Sequence, residues 1–262
     1  MLALFTLFKY PTQTMTNGHK TTTGLGMTDF FAERLGLVMT ETRKEREFRL
    51  REKEILDTAI SLFNQYGLDK VTVADIAKAT DIGKGTIYKH FVSKDVILAR
   101  IANDFSLTVL KDVKAIDATK SCTCQMRDMF EFSFKAHVQC PLMSEISRLY
   151  HQPSFLERLP QESQRFCMDI EQEYFVILNR ICEKGKQNNE LPNLPVDELI
   201  LGAHATYLGA LEMLQSQNHK CFTNTPQISQ QRFVDIIINY TMNGLFGQSF
   251  NNLQSASGEN HE

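Results

Sequence analysis

The side chains best suited to chemistry lie close together in the segment KGTIYKHF, residues 84–91. Ile87 and Phe91 are four residues apart, so they share the inward face of a predicted helix. The opposite face and its rim then carry basic, polar and hydroxyl-bearing side chains. These are Lys84, Thr86, Tyr88, Lys89 and His90. A helix with such a face is suited to enter a DNA groove and to hold phosphates.

The preceding residues predict a shorter helix and a sharp turn. The hydroxyl of Thr72 can cap the first N–H groups of that helix, and Asp75 completes a capping box three residues later. Asp81 tolerates the left-handed conformation that a sharp turn needs, and Gly83 adds conformational freedom beside it. Gly85 weakens the 84–91 helix by about 1 kcal/mol relative to Ala. Close approach of the backbone to a phosphate would explain that cost.

An upstream helix is predicted from about Arg46 to Tyr66, because apolar residues recur there with a period of 3.6. They are Ile55, Ala59, Leu62, Phe63 and Tyr66. The start of this helix is dense in both charge signs. It fits a solvated face with ion pairs four residues apart. It equally fits an arm in which Arg43, Lys44 and Arg46 contact the DNA backbone or minor groove.

The net charge of −3 is distributed unevenly along the chain. Residues 43–100 contain 12 Lys and Arg against 9 Asp and Glu, whereas residues 101–262 contain 13 against 19. A basic head on an acidic body orients the molecule toward DNA. The overall pI of about 6.2 argues against non-specific coating of nucleic acid.

The segment resembles the DNA-binding domain of TetR/AcrR-family transcriptional regulators of bacteria. The third helix of that family typically reads K-G-T-[LI]-Y-x-[HY]-F followed by S-K, which residues 84–91 match, with Ser93 and Lys94 after them. The resemblance continues upstream in Ile55–Phe63. The chain departs from the family at Asp81 and Gly83. The family usually has Gly at the first position and often has a helix-capping Ser at the second, so one cap and one phosphate contact are lost here.

The resemblance implies an all-α fold with an N-terminal three-helix helix-turn-helix domain and a C-terminal helical ligand-binding and dimerisation bundle. It implies a sequence-specific, homodimeric, ligand-responsive repressor. The alternative is a DNA-bound protein whose body recruits a protein partner instead of sensing a small molecule. The residues predicted to contact DNA are Arg46, Thr72, Val73, Lys84, Gly85, Thr86, Tyr88, Lys89, His90 and Lys94.

The predicted domain boundaries follow from these patterns. Residues 1–42 are expected to be a disordered or mis-called extension, with the true start at Met27 or Met39. The other domains are 43–100, the helix-turn-helix; 101–247, the regulatory and dimerisation body; and 248–262, a disordered tail. Ser93 is predicted to cap a fourth helix from Lys94. Further amphipathic stretches lie at 124–140, 142–151, 161–186, 196–218 and 227–246, and no segment has the period of a strand.

The last two helices predict an oligomer. Residues 199–214 are almost wholly apolar or small, and residues 233–246 are apolar around most of their circumference. A helix with more than one apolar face must bury more than one face. The resemblance implies that these helices pair with their copies as a four-helix bundle, so that the dimer reads a palindromic operator. The alternative is an ordinary buried core.

The body is also expected to bind a small hydrophobic effector. The predicted pocket residues are Met126, Phe130, Phe134, Tyr150, Phe175 and Tyr207. Any one of them also fits an ordinary core position. Their assignment to a pocket rests on the resemblance, because such regulators commonly sense small hydrophobic molecules with the body.

Other chemistry is not expected from this sequence. Cys122, Cys124, His137 and Cys140 match no common zinc spacing, so neither a metal nor a cofactor is predicted. No catalytic motif of the metalloprotease, serine hydrolase or phosphate-loop type occurs, so the chain is not predicted to be an enzyme. Residues 1–10 are apolar but too short to span a membrane. Free thiols without an export signal fit the cytoplasm, where DNA binding would place the protein at the nucleoid.

Overall fold

The computed structural model describes residues 41–150, 152–218 and 228–247. Within these ranges the chain forms α-helices and no strand, which confirms the predicted all-α class. The helices are α1 Arg43–Tyr66, α2 Val73–Ala79, α3 Lys84–His90, α4 Lys94–Lys114, α5 Cys122–Gln139, α6 Pro141–Tyr150, α7 Pro153–Glu157, α8 Gln161–Gln187, α9 Val196–Gln215 and α10 Gln230–Phe246. The predicted extension and tail lie outside the described residues, apart from Glu41 and Thr42.

The described chain divides into two compact units. The head unit contains residues 41–105 and, from the second part of the chain, 150 and 152–169. The body unit contains the described residues of 106–149 and 170–247. Helices α4, α6 and α8 each contribute residues to both units.

In the head unit, α1 begins three residues earlier than the periodicity predicted. Thr42 forms a capping box with Glu45, which satisfies N–H groups of the first turn, so helix starts at Arg43. The buried face of α1 includes Ile55, Ala59 and Phe63, as predicted. The prediction for Tyr66 is wrong, because its side chain is exposed. Leu56 is buried in the same stripe.

The remaining helices begin where capping and proline geometry allow. The N–H of Val96 donates to the Ser93 hydroxyl at 3.2 Å, which confirms the predicted cap of α4. Pro141 and Pro153 occupy the first positions of α6 and α7, where the missing N–H of proline is tolerated. The short helix α7 was not predicted, since five residues are too few to show a period.

The body unit has an apolar core between α5, α9 and α10, which contact one another. Tyr207 of α9 is fully buried, with its ring centroid 4.8 Å from that of Phe134 and 6.4 Å from that of Phe130. Cys182 is buried in the body unit, and Cys167 is buried in the head unit. No helix within the described residues combines the length and apolar character that a membrane crossing requires.

Candidate nucleic-acid interface

The first turn of α2, where the helix-turn-helix begins, is stabilised by the predicted capping box. The backbone N–H of Thr72 donates to the Asp75 carboxylate at 2.8 Å, and the N–H of Asp75 donates to the Thr72 hydroxyl at 3.3 Å. Hydrogen bonds from the hydroxyl and the backbone of Thr72 lower the pKa of Asp75 below its ordinary value. The carboxylate is therefore ionised and fixes the start of α2.

The turn between α2 and α3 has one left-handed residue. Asp81 has φ 50°, as predicted from its tolerance of that region. Gly83 has φ −64° and ψ 138°, which any residue adopts, so the conformational freedom predicted for it is not used. It precedes α3 without a side-chain cap, which is the loss expected from glycine at this position. The N–H groups of Thr86 and Ile87 instead lie against the Gly83 carbonyl.

Helix α3 presents two chemically different faces. Its inner face contributes Ile87, which with Phe91 just after the helix is fully buried in the head unit. Its outer face exposes Lys84, Gly85, Tyr88 and Lys89, with Thr86 half-buried beside them. The Lys84 ammonium lies 5.7 Å from the centroid of the Tyr88 ring, a cation–π distance. The predicted division of this helix into an inward and an outward face is confirmed, apart from His90.

The backbone at Gly85 is open to an approaching ligand. A Cβ added at this residue would meet no atom within 4 Å. Packing within the protein therefore does not require glycine here. The open position fits the interpretation that the absent side chain lets another molecule come close to the backbone.

His90 does not point outward, and that prediction is wrong. Its side chain is only 7% exposed. The ring packs on Phe48 of α1, with ring centroids 4.1 Å apart. Its Nδ1 lies 3.9 Å from the Glu52 carboxylate. His90 is the last residue of α3, where the helix turns back toward α1, and this position brings its side chain inside.

The other predicted contacts lie at the edges of the helix-turn-helix. Thr72 is exposed at the start of α2, whereas Val73 is buried, so only the backbone of Val73 is available there. Arg46 is largely exposed on α1, 3.7 Å from Glu41. The Lys94 ammonium donates to the carbonyl of Leu68. That bond leaves two of its three protons for another partner.

The charged start of α1 carries the ion pairs expected of a solvated face. Arg43 pairs with Glu47 at 2.8 Å, and Lys53 pairs with Asp57 at 2.6 Å. Both pairs are four residues apart and largely exposed. Exposed pairs of this kind contribute little to stability, so they leave these cations available to a phosphate.

Sequence reasoning missed Glu52, a carboxylate that is 3% exposed on α1. The signal was present in the spacing. Glu52 precedes Ile55 by three residues and Leu56 by four, which places it on the buried face of the helix. A charged residue at a core position is rare unless it is paired.

The predicted pocket residues are not brought together around one large cavity. Met126 and Phe130 line a cavity of about 10 Å³ in the body unit, which is room for about one water molecule. The same cavity is lined by Leu178, Ile200, Ala203, His204 and Leu245. Phe134 and Tyr207 contact each other, and Phe175 is half-buried. Tyr150 belongs to the head unit, where its hydroxyl donates to Asn103 at 3.0 Å.

The cysteines and metal-binding residue types give no second site in the described residues. No group of three or more His, Cys, Asp or Glu suited to a metal ion occurs there. Burial, assisted by the neighbouring Cys182 and Glu190, raises the pKa of the Cys122 thiol to about 12. Cys122 therefore stays a thiol, and a buried thiol of this kind is unreactive.

A three-helix unit with a capped α2, a left-handed turn and an exposed basic α3 defines a helix-turn-helix DNA-binding protein. Residues 55–101 match the family described as bacterial regulatory proteins, tetR family. These residues therefore form a DNA-binding domain of the TetR family, and the chain is a DNA-binding transcriptional regulator.

Similar proteins agree with this assignment. The transcriptional repressor KstR2 of Mycobacterium tuberculosis is 29% identical over 157 residues, which cover 56% of this chain and 72% of KstR2. The solved structure of KstR2 from that organism has a TM-score of 0.53 at 20% identity, covering 76% of this chain and 96% of KstR2. The regulator FadR from Bacillus subtilis, solved with stearoyl-CoA, has a TM-score of 0.56 at 18% identity, covering 74% and 98%. At these identities, the structures are alike in fold.

Proposed function

We propose that the protein is a homodimeric, ligand-responsive repressor that acts in the cytoplasm on a palindromic operator. The observation that carries this proposal is the outer face of α3, where Lys84, Tyr88 and Lys89 are exposed above a buried Ile87. Lys84 and Tyr88 bind phosphates, and Lys89 reaches a base edge. Thr72, the backbone of Val73 and the remaining protons of Lys94 hold the DNA backbone at the edges, with Arg46 on α1.

Selection of bound DNA from a random pool tests the operator. The expected result is a pair of inverted half-sites whose centres are about 10 base pairs apart or a multiple of this, because a symmetric dimer presents two recognition helices to the same face of the duplex. Enrichment of a single unrepeated sequence, or no enrichment, would contradict the proposal.

The phosphate role of Lys84 has its own test. Replacing Lys84 by Ala should weaken binding to all DNA sequences alike and should reduce the salt slope by about 1, since one phosphate contact is lost. Lys135, an exposed lysine of α5 outside the proposed contact set, supplies the matched Lys135→Ala control. Equal salt slopes for Lys84→Ala and the wild type would remove Lys84 from the contact set.

The proposed dimer forms through α9 and α10. Helix α10 exposes Ile236 and Tyr240, the second with 70% of its surface open. On α9, Leu201 is exposed beside Gly202 and Gly209, whose added Cβ atoms would meet no atom within 4 Å. Apolar and small residues together allow a second copy of both helices to approach closely.

Light scattering on a double variant tests this interface. Ile236→Glu combined with Tyr240→Glu should convert a dimer into a folded monomer, because four charges would enter the proposed four-helix contact. Val176→Glu is the control, since Val176 is an exposed apolar residue of α8 outside this face. A double variant that keeps the mass of a dimer would refute the interface.

The proposed effector is a small hydrophobic molecule bound within the body unit. Support comes from the apolar lining of the cavity at Met126 and Phe130, and from FadR with its stearoyl-CoA. At about 10 Å³ the cavity must enlarge to admit such a molecule. The ligand therefore selects a more open body, and that shift of population would alter the DNA-binding heads.

The size of the cavity also favours a second candidate, in which the body recruits a protein partner and binds no metabolite. A thermal-shift screen with long-chain acyl-CoA thioesters and steroids separates the two. A true effector at 100 times its Kd should stabilise the protein by about 2.7 kcal/mol. Ala203→Leu should abolish that shift by filling the cavity. Absence of any specific shift would leave the protein partner as the supported function. No catalytic role is proposed.

A further inference from the structure

A buried carboxylate joins three helices of the head unit. Glu52 Oε1 on α1 lies 3.9 Å from Nδ1 of His90, the last residue of α3. Glu52 Oε2 lies 3.5 Å from Nη1 of Arg100 on α4. Arg100 also pairs with Asp104 through a 3.0 Å contact. The C-terminal end of the recognition helix is therefore connected to α1 and α4 at one side chain.

This arrangement is a poor way to gain stability. Burial raises the pKa of Glu52, and only the nearby Arg100 opposes that shift. Glu52 Oε2 and His90 Nδ1 are buried without a hydrogen-bond partner. Apolar side chains of similar size often replace buried charges with a gain in stability. A carboxylate at this position calls for another explanation.

Protonation of His90 would place a proton on Nδ1 that can be donated to Glu52 Oε1. Burial lowers the pKa of His90, and the charge of Arg51 lowers it further, so both favour the neutral ring in the free protein. A charged imidazole has both nitrogens as donors, and its bond to a carboxylate is about twice as strong as a neutral one. The charged groups that act on the ring are Arg51 and Glu52 from α1, and Glu52 is in turn paired with Arg100 of α4, which also pairs with Asp104.

We propose that Glu52 is a positioning residue for DNA recognition, which receives a proton-bearing His90 when α3 docks on DNA and so links operator binding to proton uptake. The proposal rests on the proposed DNA-binding function. Phosphates brought close to the exposed Lys84 and Lys89 add negative potential on α3 and favour the charged imidazole. The resulting contact to Glu52 fixes the end of the helix while its outer face reads the groove.

Binding to the selected operator at pH 6, 7 and 8, at one ionic strength, tests the proposal. The wild-type affinity should rise about three- to tenfold between pH 8 and pH 6, since one bound proton changes an affinity by at most tenfold per pH unit. Glu52→Gln and His90→Gln should each lose most of that rise. Glu52→Asp, which keeps the charge, should retain it. Asp57→Asn is the control, because Asp57 is an exposed carboxylate of α1 that pairs with Lys53.

The outcomes separate this proposal from a structural role and from the proposed function. A Glu52→Gln profile parallel to the wild type would overturn the proposal, even if affinity fell at every pH. A flat wild-type profile would overturn it as well. If Glu52→Gln unfolds, the His90→Gln profile decides in its place. Failure of the wild type to select any DNA at all would instead contradict the proposed function.

Discussion

The first turns of α2 and α5 differ in where their hydrogen-bond partners lie in the sequence. At α2 both partners of the capping box, Thr72 and Asp75, lie within the first turn itself. At α5 the N–H groups of Cys122 and Thr123 donate to the carboxylate of Glu190, each at 3.1 Å. Glu190 follows Cys122 by 68 residues. At α5 there is a local cap as well, since the Ser121 hydroxyl accepts from the N–H of Cys124 at 3.2 Å. The start of α2 is therefore fixed locally, whereas the start of α5 combines a local cap with a remote one from the loop that follows α8.

This difference separates two ways of building a helix end. A local cap forms as soon as its helix forms, so α2 of the head unit needs no distant partner to start. A remote cap forms only when the body has folded. It is part of a dense contact in which the Lys184 ammonium also donates to the carbonyls of Ala118 and Lys120, at 2.6 and 2.9 Å. Disturbing the α5–α8 contact should therefore cost more than disturbing α2.

Gly185→Ala should give the largest effect. A Cβ at Gly185 would lie 2.6 Å from Cys122 Sγ, 2.9 Å from Cys122 Cβ and 3.0 Å from a methyl of Leu191. Since Cys122 is a short side chain, α5 and α8 themselves must move apart. We expect a loss of about 2–3 kcal/mol in the free energy of unfolding, measured by chemical denaturation. A stability equal to that of the wild type would show that the contact is loose.

Glu190→Ala should have the second largest effect. Two N–H groups of α5 lose their acceptor, and loss of a cap costs about 1–2 kcal/mol. Burial raises the pKa of Glu190, but hydrogen bonds from the backbone of Thr123 and Cys122 outweigh it and the net shift is downward. A lowered folded pKa contributes stability above the ordinary value of 4.5, and this stability is lost as the pH falls through the folded pKa.

The pH dependence makes the Glu190 prediction specific. The difference in stability between the wild type and Glu190→Ala should be constant near pH 7 and should shrink below pH 4.5. Glu183→Ala is the control, because Glu183 forms a local pair with Lys186, three residues away. If the two variants lose the same stability, the remote cap is no more than a surface ion pair.

The same difference between local and long-range contacts determines which features could be predicted from the sequence. The caps at Thr72 and Ser93, and the left-handed Asp81, were predicted because each depends on residues within a few positions. The approach of Gly185 to Cys122 and the cap from Glu190 could not be predicted, since they join segments distant in sequence. The helices were predicted from their period and the prolines.

Errors at the candidate site have the same physical origin. His90 was predicted to point outward because it lies off the helix face of Ile87 and Phe91, yet its direction is set by Phe48 and Glu52 of another helix. The pocket residues were chosen by their soft, aromatic character. That character does not distinguish the lining of a cavity from a filled core. Phe134 packs against Tyr207 and so belongs to the filled core.

Thr72→Ala should have a smaller effect on stability, confined to the head. It removes one acceptor from the first turn of α2, which costs about 1 kcal/mol. Hydrogen exchange should accelerate at the N–H of Asp75 and leave the N–H groups of Cys122 and Thr123 unchanged, because these depend on Glu190. Thr72→Ser keeps the hydroxyl and should restore protection. Faster exchange in α5 would break the distinction between local and remote caps.

Gly85→Ala should have the smallest effect on stability, and it is the matched counterpart of Gly185→Ala. An added methyl at Gly85 meets nothing within 4 Å, and Ala favours helix, so the free energy of unfolding should stay the same or rise by less than about 1 kcal/mol. Affinity for the selected operator should nevertheless fall, because the methyl occupies the space through which a phosphate approaches the backbone of α3.

Denaturation and DNA titration should give opposite results for Gly85→Ala and Gly185→Ala. Gly185→Ala should lose stability, and Gly85→Ala should lose DNA affinity while remaining as stable as the wild type. Undiminished affinity in a stable Gly85→Ala would mean that the glycine of the recognition helix serves neither packing nor DNA.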